Sequence, residues 1–150
     1  MTSCDNLREI LEDQVPGTST LPWYDLPGER PAPRLWIRDA ALSHNQYYGR
    51  MHHMERDRLV RRDGLIVLEA ISKARWRCAP IPWPVILIWT AFQRRQMDTS
   101  NICIKSYEDG LKRRVIHDDN PRYVTATLLQ SRAVESKQLE GVLVTFLPSQ

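Results

Sequence analysis

The chain is poor in the residue patterns that mark disulfide scaffolds, metal cages and nucleotide loops. Its three cysteines, Cys4, Cys78 and Cys103, are odd in number and fall into no paired spacing, so they read as free thiols of a reducing, cytoplasmic compartment. No CxxC pair, no HExxH and no glycine-rich phosphate loop is present, which leaves out the zinc and nucleotide chemistries that depend on them. No serine or cysteine nucleophile sits in a recognisable elbow. Long apolar runs are missing as well. The longest, Ile81 to Phe92, is interrupted by Pro82 and Pro84, whereas a membrane span needs roughly twenty residues. No membrane partner is expected. The first fifteen residues place Asp5, Glu9, Glu12 and Asp13 where a secretory leader would need positive charge and then an apolar run.

What is present is an ordinary globular composition with an uneven charge. Hydrophobic residues make up 42% and charged residues 26% of the 150, enough for one domain that folds without disulfides. Residues 1–30 carry a net charge of −4 and the remainder +7. A basic body of that kind favours a polyanionic partner, DNA or RNA first.

Residues 1–34 read as an acidic, proline-rich arm. Leu7, Ile10, Leu11 and Val15 follow helical spacing, and five prolines between Pro16 and Pro33 stop any regular element beyond them. A strand around Leu35, Trp36 and Ile37 leads into a polar turn. A long helix is predicted over 51–75, with eight basic residues against four acids between Arg50 and Arg77. Arg50, Arg58, Arg61 and Arg62 are its candidate phosphate contacts, which give affinity without sequence readout. The run from Pro84 to Gln93 predicts a strand buried on both faces at the sheet centre. A second helix over 100–114 follows, with Cys103, Ile104, Tyr107 and Leu111 as its apolar stripe and Asn101, Lys105, Asp109 and Lys112 opposite. Two strands, 123–131 and 141–146, complete the order β-α-β-α-β-β, an α+β single domain with one mixed sheet of about four strands and two main helices.

Two acidic groups stand at junctions between elements: Asp98 after the central strand, and Asp118 with Asp119 before the next one. Carboxylates converging at one end of the sheet would suit magnesium, which takes one or two carboxylates with waters and substrate phosphate. The plainer reading makes Asp98 a helix cap and Asp118 and Asp119 turn formers. Lys105 has two readings also: a charge stabiliser facing a phosphate, or a solvated residue paired with Asp109 four positions on.

The sequence from Arg94-Arg95-Gln96-Met97-Asp98-Thr99-Ser100-Asn101 through Lys105 and Asp109-Gly110-Leu111 to Val115-Ile116-His117-Asp118-Asp119 resembles the signature of the RusA-like Holliday junction resolvases of phages and prophages. Upstream, Ser43-His44-Asn45-Gln46-Tyr47-Tyr48 is similar to the segment that ends that family's first strand. The resemblance covers residues 35–148. It implies a homodimeric DNA endonuclease, dependent on magnesium with manganese as a substitute, that nicks four-way junctions in pairs during recombination and repair. A non-catalytic protein binding branched DNA on the same fold is the alternative. By position, Asp98 and Asp118 or Asp119 would hold metal, with Lys105 the catalytic lysine and Asn101 a supporting residue. Asn45, Tyr48, Arg50, Arg58, Arg61, Arg62, Arg94 and Arg95 are the DNA-binding candidates. Ser100 stands where the family has its second aspartate, at a metal-ligand position.

Overall fold

The computed structural model describes residues 34–38, 42–43, 49, 52–73 and 80–149. The arm and the candidates Asn45, Tyr48 and Arg50 lie outside them. Four strands form a mixed sheet in the order β1-β6-β3-β5: β1 is Arg34–Ile37, β3 Val85–Gln93, β5 Val124–Ala133 and β6 Gly141–Pro148. β6 runs antiparallel to both neighbours, and β3 and β5 run parallel. A two-residue ladder joins β2, Leu42–Ser43, to β4, Ile102–Cys103. Two helices, α1 (His53–Lys73) and α2 (Lys105–Leu111), complete an α+β domain. Among the described residues no helix is long and apolar enough to cross a membrane.

The predicted central strand is interior to the sheet and buried along nearly its whole length, because its β-branched and aromatic residues have apolar partners on both faces. Leu87, Trp89 and Ala91 join Leu35, Ile37, Val142, Val144 and Phe146 on the face covered by the helices. α1 contributes Val67 and Ala70 to that layer, and α2 contributes Tyr107 and Leu111. Each valine, leucine, isoleucine or phenylalanine among them, fully buried, stabilises the fold by roughly 1.5–3 kcal/mol relative to exposure. On the other face Phe92 packs with Val134, Leu139, Leu143 and Trp36, the last at 5.8 Å between ring centroids.

The long helix starts two residues inside its predicted bounds and is described as far as Lys73. The second differs more. Of the span 100–114, only Lys105–Leu111 is α-helix; Thr99–Asn101 is a 3₁₀ turn and Ile102–Cys103 is the strand paired with β2. Ile102 and Cys103 are buried there, and a β-branched residue loses side-chain freedom in a helix but not in a strand. α2 meets α1 closely at Gly110, where a Cβ would lie 3.0 Å from that of Val67. Glycine keeps the helices in register without pushing Val67 out of the core.

Beneath this contact α1 buries Asp63 completely. Its Oδ2 accepts the Ser106 hydroxyl proton from α2 at 2.5 Å, and its Oδ1 lies 3.3 Å from Arg62. A buried carboxylate is tolerated only with such partners. The pair therefore pins α2 to α1 at the residue next to Lys105.

Candidate active site: a ring of lysines and aspartates along the second helix

Lys105, Glu108, Asp109 and Lys112 fall at spacings of three, four and seven, so they share one flank of α2 and its C-terminal end. The turn that follows α2 brings Asp119 back against this flank. Lys112 and Ile116 form a parallel bridge, and Arg113, at φ 65°, donates its N–H to the Ile116 carbonyl at 2.6 Å. The chain thereby reverses within a few residues. Asp119 Oδ2 then receives Lys105 Nζ at 2.7 Å and Lys112 Nζ at 3.0 Å. Asp109 Oδ1 lies 3.1 Å from Lys105 and 3.0 Å from Lys112, closing a ring of two cations and two anions.

The ring sets the electrostatics. The Lys105 hydrogen bond, with the Lys112 bond adding to it, holds the Asp119 carboxyl well below the usual aspartate range against the opposing effect of burial. Lys105 is pushed above the ordinary lysine range, chiefly by its bond to Asp119. Lys112 shifts upward too, through Asp109 and then Asp119. Glu108 behaves oppositely to Asp119: burial, and next the charge of Asp119 beside it, raise its carboxyl.

The structure separates the two aspartates of the double-Asp segment. Asp118 Oδ1 accepts the Asp119 backbone N–H at 2.9 Å, and Oδ2 accepts the Asn120 side-chain amide at 2.8 Å. It shapes its own turn, and Asp119 is the residue presented to α2. Asp98 precedes the 3₁₀ turn, accepts the Asn101 N–H through its backbone carbonyl, and is exposed without a side-chain capping bond. Ser100 is exposed beside it, and Asn101 is half-buried. Among the described residues, no ion pair or hydrogen bond joins the Asp98 carboxylate to the ring, and no group of three or more His, Cys, Asp or Glu side chains converges on a cation position.

A sheet end is not what gathers these groups. β3 and β5 are parallel, with Val85 opposite Val124 and Gln93 opposite Ala133, so the strand end before Asp98 and the strand start after Asp119 lie at opposite ends of the pair. The chain narrows that separation by folding back along β5, where the Met97 N–H donates to Ser131 Oγ at 3.1 Å, and by descending through α2.

Of the basic candidates, Arg58 and Arg61 are exposed on α1. Arg62 is partly engaged with Asp63. Arg94 is anchored to Glu140 through its backbone N–H at 3.0 Å and its Nε at 3.4 Å, while Arg95 is exposed. Lys112 and Glu108 are not among the candidates that the sequence offers; the seven-residue spacing from Lys105 to Lys112 is the signal that points to the former. Comparison with known proteins gives no further handle: no family model, curated protein or solved structure matches the chain.

Proposed function

We propose that the protein is a magnesium-dependent endonuclease that cuts branched DNA, four-way junctions above all, as a homodimer. The observation that carries this reading is the 2.7 Å contact between Lys105 and Asp119, residues fourteen apart on different elements and both among the five, with Asp98, Asp118 and Asn101, that the resemblance to junction resolvases assigns to the site. The carboxylate oxygens here are of the kind a hard cation takes. Asp119, with Glu108 as the neighbouring carboxyl, offers the one or two carboxylates that magnesium takes when waters and substrate phosphate complete its shell. Magnesium held there supplies Lewis acidity toward an attacking water and toward the leaving oxygen of a phosphodiester. Lys105 acts from its place in the ring. It bridges Asp109 and Asp119 and remains charged throughout the neutral range, so a phosphate arriving beside it meets a fixed cation that is worth more as negative charge develops. Lys112 reaches the same Asp119 oxygen, Oδ2, at 3.0 Å and helps to fix the direction of its carboxylate. Arg58 and Arg61 on α1 supply sequence-independent phosphate contacts.

A second reading, binding branched DNA without cutting it, is favoured by one observation: Asp98 and Ser100 stand exposed, outside the ring. A synthetic four-way junction separates the two. Under magnesium or manganese the wild type is expected to nick it in pairs, and Lys105→Ala and Asp119→Asn to lose roughly 10²–10³-fold in rate, the scale for removing one positioned charge or donor, while still binding. Wild-type binding without any nicking overturns the nuclease reading in favour of the second.

A further inference from the structure

Lys112 forms a wall between the ring and an open cavity of about 600 Å³ that the ring does not use. The size is that of a small-molecule or nucleotide site. Among the described residues its lining is mainly cationic and aromatic: Arg113, Arg122, His117 and Tyr123 join Lys112, with Asn120, and the only carboxylate among them, Asp118, has both oxygens committed to its own turn. His117 and Tyr123 stack with centroids 5.1 Å apart at 38°, and the Arg122 guanidinium lies 5.7 Å from the centre of the Tyr123 ring. His117 is the exposed member of that stack, and Tyr123 is half-buried. Arg113, one of the lining residues, has a left-handed backbone, φ 65°, a conformation costly for a non-glycine residue and concentrated at functional sites.

We infer that this cavity binds one unpaired nucleotide of a DNA strand, its base stacked on the exposed His117 ring and its phosphate between Arg113 and Arg122. The chemistry matches at both ends. Every base offers a π-face, so an aromatic platform recognises an unstacked base whatever its sequence. Two guanidiniums without a carboxylate partner among the described residues form paired N–H bonds to phosphate. The inference deepens the proposed function and rests on it in one respect, that the strand entering the cavity is the one whose neighbouring phosphodiester reaches Lys105 and Asp119. Lys112, common to both, sets the two sites side by side. The feature suits an enzyme working at a branch point, where nucleotides are the ones able to leave their stack.

The test uses the whole protein and a single strand of roughly twelve nucleotides carrying one 2-aminopurine, beside a fully paired duplex of the same length. Wild type is expected to bind the single strand and to quench the 2-aminopurine as it stacks. His117→Ala and Arg122→Ala, both at exposed positions, should each weaken that binding by roughly tenfold and restore the fluorescence. His117→Phe should keep both signals, and duplex binding should be the same in all four proteins. Equal single-strand binding by His117→Ala and wild type, a parallel loss on strand and duplex, or no single-strand binding by wild type overturns the inference. Junction cutting is followed separately. Cutting that requires Lys105 while single-strand affinity ignores His117 removes the nucleotide site and leaves the nuclease, whereas a His117-dependent single-strand complex with no cutting does the reverse.

Discussion

Ser106→Ala removes one hydroxyl, and the structure says what that hydroxyl holds. Asp63 is wholly buried in α1, and Ser106 Oγ–H is the donor that reaches its Oδ2 from α2. With alanine there, a buried carboxylate oxygen keeps its desolvation cost and loses a charge-assisted hydrogen bond, a change of about 2 kcal/mol. For a chain of this length each kcal/mol moves the thermal midpoint by roughly 2–4 °C, so the midpoint should fall by about 6 °C. Circular dichroism melts at neutral pH read this directly. The double variant Asp63→Leu/Ser106→Ala sharpens the test, because removing both ends of this hydrogen bond also removes the buried carboxylate whose desolvation the bond offset. It should melt above Ser106→Ala alone. A midpoint within about 1 °C of wild type for Ser106→Ala would refute the reasoning, since a hydrogen bond of the assumed worth would have shifted it by several degrees.

Three further outcomes follow from the same geometry. Gly141→Ala should destabilise strongly, because its Cβ would lie 2.7 Å from the Ile37 carbonyl oxygen and 2.6 Å from the Trp36 ring; a loss of roughly 3 kcal/mol in urea unfolding is expected. Arg58→Ala/Arg61→Ala should flatten the dependence of log affinity for DNA on log salt by roughly 0.9 for each phosphate that α1 ceases to neutralise, with no change in melting. Asp119→Asn should cost under about 1 kcal/mol for each surface pair it breaks. Because the folded-state pKa of Asp119 is depressed, the wild type's advantage is complete above the unfolded value of about 3.9 and disappears as pH falls through the folded one. Urea titrations should therefore show a constant gap between the two proteins from pH 5 to 9 that closes in more acid solution, about pH 3 and below. A gap that widens in acid would contradict the ring.

The sheet centre and long helix are legible in the sequence because periodicity reports burial: an unbroken apolar run for β3, and a run of helix formers with scattered apolar positions for α1. α2 is legible only in part. Cys103 satisfies a helical stripe on paper, and what makes Ile102 and Cys103 a strand is the partner Leu42–Ser43, some sixty residues away. The site divides in the same manner. Lys105 with Asp109 is a local i, i+4 pair, visible from spacing alone. The choice of Asp119 over Asp118 depends on which carboxylate the turn consumes, a matter of backbone direction at Arg113 that no residue spacing encodes. The cavity beyond Lys112 belongs to that turn as well and is hidden from the sequence for the same reason.

The position of β6 has a consequence for how this chain acquires its shape. β6 comes after the other strands in the sequence, yet it lies between β1 and β3, with Leu35 paired to Val144 and Trp89 to Val144 on the other side. Until β6 is made, β1 has no neighbour in the sheet, and β3 has only β5. A nascent chain that stops short of residue 141 thus carries two unpaired, apolar strand edges with a gap between them. Closing that gap joins segments more than a hundred residues apart, the kind of contact that slows folding and leaves edges open to other chains meanwhile. The helices and the ring along α2 are assembled from local sequence, whereas the sheet beneath them is completed from its middle by the strand that arrives last.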